Sequence, residues 1–461
     1  MSTQLTENTP LIVNEGGIRL LRVAEDHKRQ VRVIYLIHFL STISTSIFAF
    51  TLDNFIRLNR DPNKEIGINY RVQNFFIIGQ ILLSIVWGFY SDKIGRKTVL
   101  NICLLGSTLT TFLFGFSKSI GYATFISFLA GAFSCIYIII KTMFGESINK
   151  SNRPLSFIYL IVIGSVAPII GMLILAIAFS LIYTSNPPDQ AKFPFLIACL
   201  IASIINIVTF ILSHLYLNET LGNNVNLEEN DNAISSTDNS NTLSESEFYT
   251  IFGLSISKDS ILIMTGFPLI AFIFSGFWNI FIYWSSNEVS KGGLNLKLDQ
   301  VINCLNVSSI ISLVALLLYS SINKRLGSLK LYRNFFLPTA VVSIISSMTT
   351  LVAQAGNVPA VMTLLLFVFS AVEVFYYFQD ISLNLLLIES SGSAGNLGTL
   401  FGVSNALEKT FSLILPSLFR SVYKFSTESG LPFPFNYNLI WVILTTTAVI
   451  GYWSSSKIKT K

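Results

Sequence analysis

Charge is what this sequence has least of. Asp, Glu, Lys and Arg make up 12 % of its 461 residues, against about a quarter in ordinary soluble domains, too few to clothe a water-exposed surface. Histidine is scarcer, at 3 residues, and the 4 cysteines, Cys103, Cys135, Cys199 and Cys304, sit singly in apolar stretches with no C-x-x-C spacing and no His pair nearby. Neither a disulfide framework nor a zinc site is indicated, and no metal or cofactor is expected. No G-x-x-x-x-G-K-[ST] string occurs, so any work the chain does is driven by a gradient rather than by P-loop ATP binding. The polar segments are too short to house a catalytic domain, which argues against an enzyme. The net charge of +5 is spread over short basic clusters, which does not make a nucleic-acid surface. The first thirty or so residues are polar, unlike a cleaved signal peptide, so the first apolar segment is expected to stay as a signal anchor.

What remains is hydrophobic: 52 % of residues are apolar and the mean hydropathy is +0.62. Lipid is the natural solvent for such a chain, and a crossing takes about 20 mostly apolar residues. Twelve runs qualify. Six precede position 218: Val33–Leu52, Val72–Tyr90, Thr98–Phe116, Gly121–Ile140, Leu155–Leu173 with an extension to Tyr183, and Phe195–Leu217. Six follow position 259: Ser260–Trp284, Gln300–Tyr319, Asn334–Val352, Ala360–Phe378, Leu397–Phe419 and Asn438–Trp453. Between them lies a polar Asn-, Ser-, Thr-, Asp- and Glu-rich linker with little to bury. The expectation is an all-α membrane protein of about twelve transmembrane helices in two pseudo-symmetric six-helix halves. The divisions are a tail at 1–31, halves at 32–217 and 260–454, a linker at 218–259 and a tail at 455–461. Lys and Arg cluster in the tails and alternate loops (Arg29, Arg32, Lys93, Arg96, Lys97, Lys141, Lys150, Arg153, Lys324, Arg325, Lys330, Arg333), which puts termini and linker on the cytoplasmic side.

The most specific string is Gly88-Phe-Tyr-Ser-Asp92-Lys-Ile-Gly95-Arg96-Lys97, in the expected tight turn between the second and third helices. Glycines permit a tight turn and close helix approach, while Asp and Arg supply charges that can lock two halves together. Here the chain resembles the major facilitator superfamily, whose signature at this point is G-x-x-x-D-x-x-G-R-K. The resemblance implies that Asp92 faces a helix end in the other half, whose N-terminus carries positive partial charge. Arg96 needs an acidic partner, and Glu146 after the fourth helix is placed to provide it. Read as an exposed pair it contributes under about 1 kcal/mol, so its value would be that of a gate latch.

Within the fifth helix, Gly164-Ser-Val-Ala167-Pro168-Ile-Ile-Gly171 resembles the G-x-x-x-G-P-x-x-G element of facilitator antiporters, with Ala167 in place of one glycine and Gly164 one residue short of the first; this resemblance implies exchange rather than uptake. The strings GFSKS, KTMFGE, NETLG, NLGTLFG and Leu415-Pro416 make the chain similar to zinc-induced-facilitator and drug:proton antiporter groups. One departure is Ser127, where relatives have an arginine. It places the N-terminal proton or substrate site in doubt, and the echo of the signature from Ser320 to Gly327 has lost its acidic and glycine positions.

Ionisable groups inside a membrane are costly and face a cavity by default. Glu373 in the tenth helix and Glu408 and Lys409 in the eleventh are expected to form a charge cluster that couples transport to protons, with His38 a candidate relay and Asp380 near the cytoplasmic end of the tenth helix. At 1.5 Å rise per residue, Glu373 is expected roughly 10 Å and Glu408 roughly 16 Å from the cytoplasmic surface. Gln73, Asn74, Gln80, Asn206, Asn279 and Trp278, with Tyr283 and Trp284, are candidate cavity residues. At the N-terminus, Glu7, Leu11 and Ile12 form E-x-x-x-L-I, which looks like an acidic dileucine sorting signal. It implies an adaptor complex as partner and a vacuolar membrane as destination, the plasma membrane being the alternative. The expected function is alternating-access transport of a small solute, as proton-coupled antiport by a monomer in the lipid bilayer. The alternatives are a uniporter or symporter, and a non-transporting sensor or receptor that keeps the fold.

Overall fold

The computed structural model describes residues 15–59, 71–182, 193–221, 248–251, 254–391 and 395–458. Among them are fifteen α-helices. The first seven are α1 (Glu15–Leu58), α2 (Arg71–Ile94), α3 (Arg96–Phe114), α4 (Ile120–Phe133), α5 (Ile136–Ser147), α6 (Arg153–Ile182) and α7 (Leu196–Tyr216). An antiparallel hairpin of β1 (Phe248–Ile251) and β2 (Leu254–Ser257) follows. After it come α8 (Lys258–Met264), α9 (Gly266–Ser286), α10 (Leu298–Leu326), α11 (Ser328–Asn334), α12 (Phe336–Gln354), α13 (Val358–Ser391), α14 (Leu397–Glu428) and α15 (Leu439–Ser455).

Three crossings are interrupted helices: α4 with α5, α8 with α9, and α11 with α12. Joined in this way, the described helices make twelve crossings. Ten are long and apolar enough to span a membrane on those grounds alone. The other two are α14, which carries Glu408, Lys409, Arg420 and Lys424, and α15, with 17 residues. The outward faces of α3, α6, α7 and α10 carry bare apolar side chains such as Leu109, Ile169, Ile204 and Leu317, the surface expected where lipid replaces water. The first and last six crossings meet along α2 against α14, α6 against α10 and α13, and α5 against α14.

Several boundaries differ from the hydropathy reading. Helix α1 starts at Glu15, inside the expected tail, and the expected linker ends in the β1–β2 hairpin. Helix α13 continues 13 residues beyond Phe378, to Ser391. Gln379, Ser382 and Asn384 lower the local hydropathy yet are 3 %, 0 % and 0 % exposed. They point into protein rather than ending the helix, and a window average cannot tell those outcomes apart.

Candidate gate and central site

The signature turn builds a buried charge network between α2, α3 and the far half. Helix α14 begins after Asn396, so the N–H groups of Gly398 and Thr399 belong to its first turn and have no intrahelical partner. Asp92 accepts both, at 2.9 Å and 2.7 Å, and the Thr399 hydroxyl as well. A carboxylate at a helix N-terminus also meets the positive end of the helix dipole. Asp92 is bonded in turn to Arg96 Nη1 at 2.7 Å.

Arg96 is fully buried. Its Nε donates to both Glu146 oxygens at 3.1 Å and 3.2 Å, its Nη2 to Glu146 Oε1 at 2.6 Å, and its Nη1 to Ser91 Oγ at 3.2 Å. The fork of the guanidinium is therefore shared between two carboxylates. Glu146 is itself only 3 % exposed and accepts a further bond from the Thr220 hydroxyl at 2.8 Å. This corrects the picture of a solvent-exposed latch. Removing one partner from a buried pair strands a charge and costs about 3–5 kcal/mol, well above the value of a surface pair.

Glu219 closes the other end of the network. Gly95 precedes α3 with φ 103° and offers no side chain to cap it. The carboxylate of Glu219 takes the Arg96 and Lys97 N–H groups instead, at 2.8 Å and 3.1 Å. A Cβ at Gly95 would run into that carboxylate. Close packing also explains the seam of α2 with α14: a Cβ on Gly88 would meet the Gly398 carbonyl, and one on Gly402 the Ser84 carbonyl. Glu219, Thr220, Gly398, Thr399 and Gly402 all lie in NETLG and NLGTLFG, strings visible as resemblance but with no partner until α3, α5 and α14 come together.

Deeper in, the break of the fourth crossing at Ser134 and Cys135 redirects α5. Unpaired carbonyls in a membrane need partners, and α2 supplies them. Trp87 Nε1 donates to the Ala132 carbonyl at 2.8 Å and Gln80 Nε2 to the Ser134 hydroxyl at 2.9 Å. Past the break, Tyr137, Ile138 and Lys141 line a small cavity whose other wall is Phe267, Phe401, Ser404, Asn405 and Glu408. Asp380 is within electrostatic reach of Lys141 and Glu408. Lys141, counted in sequence as a loop charge, is thus a cavity residue.

The expected cluster of Glu373, Glu408 and Lys409 is not assembled. Glu373 is 2 % exposed and accepts from the Ser309 and Ser312 hydroxyls of α10 at 3.1 Å and 2.8 Å, while Glu408 pairs with its neighbour Lys409 at 3.6 Å. The extension of α13 is the reason. Counted back from Ser391 at 1.5 Å per residue, Glu373 lies about 27 Å along α13 from its C-terminal end. Asp380 lies about 16 Å along α13 from that end, about as far as Glu408 lies along α14 from Leu397. His38 is 4 % exposed; Nε2 is 3.2 Å from the Leu160 carbonyl, Nδ1 is 3.4 Å from Thr42 Oγ1, and the ring stacks on Tyr137 at 5.3 Å.

The antiporter-like element divides by role. Ala167 is buried, and Gly171 faces Ser46 and Ile43 so tightly that a Cβ would clash, which seats α6 on α1 around Pro168. A Cβ at Gly164 meets nothing within 4 Å. Ser127 donates to the Val72 carbonyl at 2.9 Å and is fully buried. There α2 and α4 press together through Gly79 and Gly131, and an arginine has no room.

Of the cavity candidates, Asn206 is a packing contact: 2 % exposed, it donates to Ser107 Oγ of α3 at 3.2 Å. Asn279 donates to the Ser275 carbonyl and hydroxyl at 2.8 Å and 2.9 Å, and Gln80 serves the helix break. Trp278 packs between Phe274 and Phe369 with its buried Nε1 unpartnered. Gln73 is half-buried and Asn74 exposed. Glu7, Leu11 and Ile12 lie outside the described residues.

Residues 34–416 match the family model described as Major Facilitator Superfamily. The chain is 30 % identical over 103 residues to the efflux pump azaK of Aspergillus niger, covering 22 % of each chain. It is 27 % identical over 277 residues to the zinc-induced-facilitator-like protein 1 of Arabidopsis thaliana, covering 55 % of this chain and 54 % of that one. The chain thus spans about a fifth and about half of the length of these two curated relatives. Among solved structures, the human organic anion transporter MFSD10 superposes with a TM-score of 0.65 at 14 % identity, over 93 % of this chain and 99 % of that one.

Proposed function

This chain belongs to the major facilitator superfamily of membrane transporters, and we propose that it exchanges a small solute for protons by alternating access between its two halves. The observation that carries this reading is the bonding of Asp92 to the first turn of α14, which joins the halves on the signature-turn face. Glycine-to-backbone packing of α2 on α14 gives that closure a defined, bistable seat. Proton coupling rests on Glu373, an intramembrane carboxylate bracketed by two hydroxyls and without an ion-pair partner among the described residues. The helix-five element around Pro168 supports antiport.

In this reading residues 1–31, 218–259 and 455–461 face the cytoplasm, where the basic flanks lie, and the monomer is the working unit. The E-x-x-x-L-I signal at Glu7, Leu11 and Ile12 directs it through an adaptor complex to the vacuolar membrane.

Proteoliposomes containing the full chain, a cell metabolite extract and an internal pH indicator test the coupling. Wild type is expected to dissipate an imposed pH gradient only when the extract is present, and the Glu373→Gln variant to move the same solutes without moving protons. Proton-driven exchange persisting in that variant removes the coupling role.

A further inference from the structure

Three short oxygen–oxygen contacts surround the Glu373 carboxyl, and the two serines that make them carry only two hydroxyl hydrogens. Ser309 Oγ lies 3.1 Å from Glu373 Oε1, and Ser312 Oγ lies 2.8 Å from Glu373 Oε2. The same Ser312 Oγ lies 2.9 Å from the Ser309 carbonyl. A serine hydroxyl has one hydrogen to donate, a carbonyl or carboxylate oxygen has none, and oxygen positions alone leave the hydrogens to be assigned. With Glu373 ionised, the single Ser312 hydrogen has to serve a carboxylate and a backbone carbonyl together. One contact is then short of a hydrogen, with lone pairs facing each other at hydrogen-bond distance.

The surroundings offer an ionised carboxylate nothing more. Glu373 and Ser312 are buried where α10 packs on α13, and among the described residues no ion pair reaches Glu373. No charged side chain of α6, α9, α10 or α14 acts on its carboxyl. The titratable group within its electrostatic reach is the Tyr377 phenol, one turn further along its own helix. An unpaired charge inside a membrane is costly, whereas a neutral carboxyl with its hydrogen bonds made is tolerated.

Resting on the coupling role given to Glu373 above, we infer that Glu373 carries its proton in this conformation and that Ser312 and Ser309 hold it there. The carboxyl O–H at Oε2 donates to Ser312 Oγ, the Ser312 hydroxyl donates to the Ser309 carbonyl, and the Ser309 hydroxyl donates to Oε1. Every short contact then contains one hydrogen. Ser312 is the residue that changes direction: it accepts from the neutral acid and turns its own hydrogen to the carboxylate once the proton has left. Both serines come from one face of α10, three positions apart, so a single helix carries both positioning groups. The proton is bound while Asp92 holds the signature-turn face closed, and the half-cycle that opens that face is the one that releases it.

Infrared difference spectroscopy on the full chain in lipid vesicles, in H2O and D2O, tests this, because a neutral carboxyl has a C=O stretch that a carboxylate lacks. Its frequency rises when a hydrogen bond to the carboxyl group is removed. Wild type at neutral pH is expected to show such a band, shifted by deuteration and lost in Glu373→Gln. Ser309→Ala frees Oε1 and is expected to keep the band but move it to higher frequency. Ser312→Ala removes the acceptor of the carboxyl hydrogen and is expected to move it as well, while Ser312→Thr, which keeps a hydroxyl, leaves it in place. If Glu373→Gln fails to fold, the Ser309→Ala shift identifies the band with the carboxyl still present. No band that depends on Glu373 or Ser309 at neutral pH, or a band indifferent to both serine-to-alanine changes, overturns the inference. That result with proton movement lost in Glu373→Gln proteoliposomes leaves the coupling role standing. A serine-sensitive band with proton-driven exchange persisting in Glu373→Gln does the reverse, removing the coupling role and leaving the proton-holding triad.

Discussion

Asp92 and Thr399, 307 positions apart in sequence, meet through the carboxylate of one and both the backbone N–H and the hydroxyl of the other. One residue ends the second crossing and the other opens the eleventh, so the bond joins the halves at the edge of the membrane. Charge-assisted hydrogen bonds of this kind contribute about 1.5–3 kcal/mol each, and the helix dipole adds up to ~2 kcal/mol. The interaction is strong enough to bias a conformational equilibrium and weak enough to break in each cycle.

Asp92→Asn keeps the size of the side chain and removes its charge. A loss of about 2 kcal/mol shifts the balance between closed and open forms of this face by roughly thirtyfold. Distances between spin labels at the exposed Lys150 and Lys324, one in each half on this face, are expected to lengthen in the variant. An unchanged distance distribution would show that Asp92 does not hold the seam.

Glu146→Gln strands the Arg96 guanidinium beside Asp92 alone. The expected cost is about 3–5 kcal/mol in a purified, full-length sample, seen as a lowered melting temperature. Reversing both charges, Arg96→Glu with Glu146→Arg, is expected not to rescue it, because the new carboxylate at position 96 would face Asp92 at close range. Rescue by the double reversal would mean that Asp92 is not a partner in the network.

Gly402→Ala and Gly164→Ala add the same methyl group to two membrane helices. The first places a Cβ against the Ser84 carbonyl across the seam, and the second meets open space. The first is expected to lower exchange in proteoliposomes at least tenfold and to hinder closure, the second to change the rate by less than about twofold, the range of a substitution costing under 0.5 kcal/mol. Equal effects would show that the backbone approach of α2 and α14 does not limit the cycle.

Composition and spacing were enough for membrane embedding, the number of crossings and the signature turn. These are properties of runs: about twenty apolar residues cross a bilayer wherever they occur, and a ten-residue motif is local. The pairing of Arg96 with Glu146 was legible too, because both lie at neighbouring helix ends on one face. Its energy was not, since solvent exposure depends on what packs on top, and Glu219 and Thr220 come from more than 70 residues away to cover it.

The central site was legible only in fragments. Glu408 stood out as an intramembrane charge, but Lys141 passed for a loop residue and Asp380 for a helix-end one, because hydropathy places the ends of α5 and α13 too early. Polar residues continue a membrane helix when they face protein, and whether they do so is settled by neighbouring helices. By itself the sequence determined a solvent, a helix count and a set of charges. Which charges confront one another across the small cavity, and which are bonded out of reach like Glu373 with its two serines, was decided only when the two halves packed, since depth and facing in a membrane depend on every helix end at once.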